Sequence, residues 1–331
     1  MALINKLLIF LKHPQPIAFI FLKIFGLNLT KNFFSIKRNG YKLSLENNDM
    51  SLSQFHKGRN SYRAYEVLFD GLLEKGDNFI DVGGSIGLHS IYAKNIVKHG
   101  TVIIIEPMPE MSENAAINFN LNSVSIELIS KAVSDNANGV IMPDLEGRSY
   151  ILDSESRSNI AENSSIIAGK KYNNKADNTI LVNSCTLDAV TEKLDQISLI
   201  KIDTEGAELL SLKSGIQCLK KTNSVITGIF DPYSTSRFNY AASDIADFLI
   251  ENGFHHAYKA NGSVQLSLTK LDMPNEKFDS PDMYLFSKMD ISSSADLKQY
   301  ISIEEWQRDD IDISFFATPI EKAISFKTSC N

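Results

Sequence analysis

At 331 residues, 43% hydrophobic and 22% charged, the chain has ample material for the core of a globular protein, built as one large domain or as a main domain with appendages. Its formal net charge of -7 argues against nucleic acid as a partner, because surfaces that bind it are normally basic. Cys185, Cys218 and Cys330 stand apart, with no CxxC and no closely spaced histidines, which excludes a zinc framework, offers no disulfide scaffold and points to a reducing, cytoplasmic setting.

Residues 1–29 are the most apolar part of the chain, but Lys6, Lys12 and Lys23 interrupt them. The uncharged run from His13 to Leu22 contains Pro14 and Pro16 and falls short of the roughly 20 apolar residues of a bilayer span. No small-residue cleavage site follows it. Two readings stay open: one or two helices packed on the domain or on a second copy in a homo-oligomer, or an interfacial helix in peripheral contact with the inner face of a membrane carrying lipid-linked substrate. Beyond it, "NFFSIKRNGYKLSLE" predicts a hairpin turning at Asn39-Gly40. "SYRAYEVLFDGLLEKGD" predicts an amphipathic helix with Tyr65, Leu68, Phe69, Leu72 and Leu73 on one face, ended by Gly76.

From Asn78 onward strands and helices alternate. "NFIDVG", "TVIIIEP", "IELISKAV", "SLIKID" and "SVITGIF" read as five short buried strands. Helices are expected over "SIGLHSIYAKNIVKHG", "EMSENAAINFNLN" and "TEGAELLSLKSGIQCLKK", the last as one helix with Leu209, Leu212, Ile216 and Leu219 at helical spacing. Uniformly apolar strands between amphipathic helices indicate a parallel sheet covered on both faces. Residues 136–180, rich in Asn, Ser and Gly, read as an insertion with one or two short strands. Later, "AASDIADFLIENGF" predicts a helix, and "HHAYKA" and "DMYLFSK" predict strands; the tail from Met289 is acidic and contains Trp306. The expected organisation is an apolar segment and hairpin over 1–50, a main domain over 51–290 and an acidic appendage over 291–331.

The chemistry lies in "FIDVGGSIGLHSIYAK", residues 79–94. A dinucleotide fingerprint needs glycines at i, i+2 and i+5. From Gly83 those positions hold Ser85 and Leu88, and from Gly84 they hold Ile86 and His89, so both registers fail. Asp81 at the strand end would also repel a pyrophosphate. S-adenosylmethionine has the opposite needs: its ammonium suits a carboxylate acceptor at Asp81, in charge-assisted bonds worth roughly 1.5–3 kcal/mol. Gly83 and Gly87 permit close approach of the backbone, and Glu106, closing the second strand, suits two ribose hydroxyls.

The series FIDVGGSIG, IIIEPMPE, KAVSDNANG, CTLDAV and LIKIDTEGAELLSLKSG resembles, in that order, the FkbM family of class I methyltransferases, over roughly residues 50–290. The resemblance implies an α/β Rossmann-like fold: a seven-stranded, mostly parallel sheet with helices on both faces and an antiparallel last strand, here "DMYLFSK". It implies methyl transfer to a hydroxyl oxygen, often on a sugar or polyketide-like acceptor. Family members often carry a small or polar residue where Ser85 stands. Where many class I enzymes have an acid reading the adenine, this chain has Ala132, so the adenine is expected on the backbone around Ala132 and Val133. A glutamate frequent in the fifth strand is Gly228 here, with Asp231 as the nearby substitute. The candidate cofactor-binding set is therefore Asp81, Gly83, Gly84, Ser85, Gly87, Glu106, Pro107, Ala132 and Val133.

Methyl transfer to oxygen requires alignment of the nucleophile, exclusion of water and a base or metal to take the hydroxyl proton. Asp203 and Glu205, just past the fourth strand at the edge where open α/β sheets bind ligands, are the catalytic candidates. Against them stand an N-cap role for Asp203 and a helix-dipole role for Glu205. His89 on the helix after the glycine turn is a candidate base or a structural residue, and Tyr65 and Glu66 are candidate pocket residues. No complete oxygen-ligand set is legible, so a metal-independent reaction is expected. Two functions follow: an O-methyltransferase acting on a carbohydrate of a surface glycan or glycolipid or a related natural product, or a catalytically silent interaction module of the same fold.

Overall fold

The computed structural model describes residues 34–38, 41–44, 60–135, 139–143, 179–221, 225–261, 267–273, 276–291 and 312–315. The readings placed on residues 1–29, on most of the 136–180 insertion and on Trp306 lie outside these. Strands β1 (Phe34–Arg38) and β2 (Tyr41–Ser44) pair antiparallel with Arg38 opposite Tyr41, as the expected hairpin requires; its turn at Asn39-Gly40 lies outside the described residues.

Helix α1 (Asn60–Leu72) follows, burying Tyr65, Leu68 and Phe69, with Leu73 just beyond its end. Each large apolar side chain so buried contributes about 1.5–3 kcal/mol. Then come β3 (Phe79–Val82), α2 (Leu88–Val97), β4 (Val102–Ile105), α3 (Pro109–Leu121) and β5 (Glu127–Ile129). Pro109 occupies the first turn of α3, where its missing N–H costs nothing.

The segment "IELISKAV" does not remain one strand. After β5 the chain turns at Lys131, whose N–H donates to the Ile129 carbonyl, and β6 (Ala132–Val133) leaves the main sheet to pair in parallel with β9 (Ser184–Cys185). Within the insertion, β7 (Val140–Pro143) pairs antiparallel with β8 (Thr179–Val182). Helix α4 (Leu187–Thr191) is capped by Thr186, whose hydroxyl accepts from the Ala189 amide.

Strand β10 (Leu199–Ile202) leads into two helices rather than one, α5 (Glu208–Lys213) and α6 (Ile216–Lys221). The break falls at Ser214, which is turned toward α4: its hydroxyl accepts from the Leu187 amide at 3.1 Å, and its carbonyl accepts from the Asp188 amide. Leu209, Leu212 and Leu219 stay buried on both sides of it. Next come β11 (Val225–Phe230), α7 (Pro232–Ser236), α8 (Ala242–Glu251), β12 (His256–Asn261), β13 (Ser267–Lys270) and β14 (Asp282–Ser287). The last described strand, β15 (Asp312–Phe315), returns from the acidic tail to pair antiparallel with β1.

The main sheet has the order β13-β12-β14-β11-β10-β3-β4-β5. Strands β3, β4, β5, β10 and β11 are mutually parallel, and β14 runs against both β11 and β12. These are the seven expected strands with the antiparallel last one, and β13 adds a short eighth at the edge. The order reverses at β3, so the C-terminal tips of β3, β4 and β10 meet at the switch point where such sheets hold ligands.

Strand residues alternate between two cores. Ile80, Val82, Ile200, Ile202 and Ile226 face Leu209, Leu212, Ile245 and Leu249, while Phe79, Leu199 and Val225 face Tyr65, Leu68, Phe69 and Val97. This is a Rossmann-like α/β fold. Among the described residues, no helix is long and apolar enough to cross a membrane.

Candidate active site

The glycine turn carries β3 into α2. Gly83 has φ +76°, and a Cβ there would lie 2.0 Å from the Asp203 carbonyl oxygen. Only glycine lets the tips of β3 and β10 touch in this way. At Gly84 a Cβ would lie 2.2 Å from the Ile104 side chain, and Gly87, also left-handed at φ +80°, sits at the N-cap of α2. Ser85 adopts φ +51°, a left-handed conformation that costs a non-glycine residue about 1–2 kcal/mol. Its amide is thereby aimed at Glu106, with N–H to Oε2 at 2.8 Å.

Glu106 stands one residue beyond β4 and is 6% exposed. Its second oxygen, Oε1, accepts from the Met108 amide at 3.0 Å, and Ser112 Oγ donates to its carbonyl at 2.7 Å. Burial pushes its carboxyl up to about 7, against the opposing pull of the Met108 and Ser85 amides and the Lys201 charge. Each carboxylate oxygen has two lone-pair sites, so one on each stays open to a further donor. Pro107, half-buried, links this group to α3.

Asp81 departs from its expected role. Its side chain is wholly buried and both oxygens are engaged within the protein: Oδ1 with Lys201 Nζ at 2.9 Å and Oδ2 with Ser90 Oγ at 2.7 Å. In the parallel ladder Asp81 stands directly opposite Lys201, inside the sheet rather than at its tip. It therefore balances a buried cation instead of facing a ligand. Lys201, 2% exposed, also approaches the Gly83 carbonyl at 3.4 Å and lies 5.5 Å from the centre of the Tyr65 ring. Burial pulls its pKa down, but Asp81, Asp203 and Glu106 together hold it above the ordinary value. The sequence reading passed over this lysine. Its signal was a cation in the middle of "LIKI", a strand otherwise apolar on both faces, where a charge requires a partner.

Ala132 and Val133 also depart from expectation. The Ala132 amide donates to the Asn183 carbonyl at 2.8 Å, the Ser134 amide donates to the Cys185 carbonyl, and both side chains are buried. Pairing with β9 takes up the Ala132 amide, and the Val133 carbonyl accepts from Ser211 Oγ at 3.5 Å. Asp231 caps α7, accepting from the Tyr233 amide and from Ser234 Oγ, which is a structural duty. His89 is buried, with its ring 4.8 Å from that of Tyr65 and 6.0 Å from that of Phe69, and Glu66 is 4% exposed. These are core positions.

Asp203 follows β10 directly, half-buried, with its amide donating to the Val82 carbonyl at 3.0 Å. The N-cap of α5 is Ala207, so Asp203 is not the cap, and Glu205 precedes the first helical turn. Glu205 is left-handed at φ +54°, and its carbonyl accepts from Arg237 Nη1 at 3.2 Å. The structure thus brings the Gly83–Gly87 turn, Glu106 and Asp203 together at three strand tips, and draws Asp81, Ala132 and Val133 into its interior. Among the described residues no cluster of histidine, cysteine and carboxylate side chains is grouped as metal ligands.

No curated protein matches the chain in sequence. Among solved structures, it is similar to precorrin-6y C5,15-methyltransferase from Geobacter metallireducens, with 11% identity and a TM-score of 0.38 over 68% of this chain and 86% of that one. A SAM-dependent O-methyltransferase from Thermotoga maritima is 10% identical, with a TM-score of 0.38 over 78% and 94%. Fibrillarin from Aeropyrum pernix, solved with natively bound S-adenosyl-L-methionine, is 10% identical, with a TM-score of 0.35 over 76% and 80%. The sequence profile of the methyltransferase FkbM domain matches residues 81–256, more than half of the chain, running from the glycine turn through the Asp203 loop into β12. The chain therefore belongs to the FkbM family and is an S-adenosylmethionine-dependent methyltransferase.

Proposed function

We propose that this methyltransferase acts on a hydroxyl oxygen, on a carbohydrate of a surface glycan or glycolipid or on a related natural product. The observation that carries the reading is Asp203, a half-buried carboxylate at the tip of β10 whose main chain packs against the Gly83 turn. A hydroxyl must lose its proton during transfer, and a carboxylate at the ligand edge of the sheet is suited to hold it.

The residues present fit S-adenosylmethionine. The glycine turn packs its backbone against the Asp203 carbonyl at the switch point, and Glu106, with its remaining lone pairs, suits the two ribose hydroxyls. When bound, the cofactor supplies an electrophilic methyl group on a positive sulfur. Gly83, Gly84, Ser85 and Gly87 form the cradle, Glu106 with Pro107 orients the sugar, and Asp203 takes the acceptor proton. Glu205 stands beside it as a second carboxylate at the rim. Asp81 acts from beneath, by neutralising Lys201 and fixing α2 through Ser90.

Calorimetry with S-adenosylhomocysteine tests the cofactor site, and absence of binding at high micromolar concentration would favour a silent interaction module. The acceptor is tested by transfer of labelled methyl from S-adenosylmethionine to the glycan fraction of cells lacking the gene, followed by mass spectrometry for one added methyl group. Label found only in protein or nucleic acid would overturn the carbohydrate reading. Asp203 is proposed as a base acting without a metal, so a chelator should leave transfer unchanged; loss that magnesium restores would assign it metal duty instead.

A further inference from the structure

The turn between Asp203 and Gly206 is costly to form. Glu205 holds φ +54° and Gly206 φ +110°, and a Cβ at Gly206 would lie 2.3 Å from the Ser234 carbonyl oxygen. Three side chains outside the turn hold it. Glu208 Oε1 accepts from the Thr204 amide at 2.9 Å, the Gly206 amide at 3.1 Å and Thr204 Oγ1 at 3.2 Å. The Tyr240 hydroxyl donates to the Gly206 carbonyl and accepts from the Leu209 amide at 3.2 Å. Arg237 donates to the Glu205 carbonyl at 3.2 Å. The amide of Thr204, the carbonyl of Glu205 and both backbone groups of Gly206 are thus tethered, while the Asp203 amide is bound to β3.

Glu208 is the centre of this clamp, and it is an unfavourable residue to place there. Its side chain is 1% exposed, Oε2 has no hydrogen-bond partner among the described atoms, and burial pushes the carboxyl up to about 7. A buried oxygen without a partner and a left-handed glutamate both oppose folding, and they converge on one turn. Such costs concentrate where local geometry serves function.

We propose that Glu208 is a positioning residue for methyl transfer, clamping the Asp203–Gly206 turn, with Tyr240 on its other side, so that Asp203 is presented at the β10 tip. The inference rests on the proposed role of Asp203. It assigns Glu208 no contact with cofactor or acceptor.

The test uses the full chain and labelled methyl transfer to the glycan fraction, comparing Glu208→Ala, Glu208→Gln, Tyr240→Phe and Asp203→Asn. Displacing a positioned group by about 1 Å costs about 100-fold in rate, so Glu208→Ala should lower the maximal rate by about that factor while leaving KM for S-adenosylmethionine within about threefold. Glu208→Gln keeps a carbonyl oxygen for the same donors and should retain most of the rate. Tyr240→Phe removes one tether and should cost about tenfold in maximal rate. A Glu208→Ala protein that raises KM alone, or that turns over like wild type while Asp203→Asn is inactive, overturns the positioning role and leaves the reading of Asp203 standing. Full turnover in Asp203→Asn overturns that reading and with it the route through Asp203. If Glu208→Ala fails to fold, Tyr240→Phe decides, and an unchanged maximal rate there sinks the clamp.

Discussion

Asp81 and Glu106 lie near the C-terminal ends of neighbouring parallel strands, and both are buried carboxylates, yet the fold treats them in opposite ways. Asp81 lies within the ladder, opposite Lys201 and Ile104, and is satisfied by a cation and a hydroxyl. Glu106 lies one residue past the last paired position of β4 and is satisfied by two main-chain amides, those of Ser85 and Met108. Within a sheet every backbone donor is committed to a neighbouring strand, so a charge there needs another side chain. Past the tip, the amides of the next turn have no strand partner and can hold a carboxylate without a counter-ion. A difference of one or two residues in register separates an acid held by side chains from one held by main-chain amides, the one proposed to bind the ribose.

The largest test of this contrast is Lys201→Met. It leaves Asp81 buried and unpaired, and removing one partner of such a pair typically costs about 3–5 kcal/mol, measured by urea unfolding. The double variant Lys201→Met with Asp81→Asn should recover most of that loss. No recovery would show that Asp81 does more than balance the lysine.

At the other acid, Glu106→Gln should weaken S-adenosylhomocysteine binding by about 10–100-fold, the worth of about 1.5–3 kcal/mol in charge-assisted bonds, with far less effect on unfolding than Lys201→Met. Equal affinity in wild type and variant would remove Glu106 from the site.

Protonation sharpens the same point. Because Glu106 titrates near 7, the accepting carboxylate forms as pH rises, and affinity for S-adenosylhomocysteine should climb with pH up to about 7 and then level. Stability moves the other way. The unfolded chain releases this proton near the ordinary glutamate value of 4.5, so between 4.5 and about 7 the folded state binds more protons and loses stability as pH rises. Glu208, also raised to about 7, contributes with the same sign. A flat affinity profile in wild type, or one that Glu106→Gln leaves sloping, would move the titration to another group.

The smallest expected effect is Ser85→Gly. Relief of the left-handed strain, offset by the greater backbone entropy of glycine, should stabilise the fold by under about 1 kcal/mol with cofactor affinity unchanged. A marked loss of affinity would give the Ser85 hydroxyl, now 3.7 Å from Met111 Sδ, a direct role.

The alternating strands and helices, the glycine turn and the two strand-end acids were legible in the sequence because each depends on local pattern: apolar runs, helical spacing, and glycines where a turn must be tight. The antiparallel pairing of β1 with β2 was legible for the same reason. What local pattern did not carry was which segment captures which. "IELISKAV" reads as one strand because nothing within it announces that β9, more than fifty residues later, takes its second half. "TEGAELLSLKSGIQCLKK" reads as one helix because the break at Ser214 answers a contact with α4. The helical register around Leu209, Leu212 and Leu219 survives the break, since all three still face one core.

From sequence came the family, the fold class and the strand tips at which the chemistry gathers, all consequences of short-range periodicity and of residue types that few sites tolerate. Folding assigned the duties among those residues. It paired Asp81 with Lys201 across 120 positions, left Glu106 at the rim, and set Glu208 beneath the Asp203 turn. A buried polar group must find its partner wherever the packed chain supplies one, and that choice is made by register and contact in three dimensions.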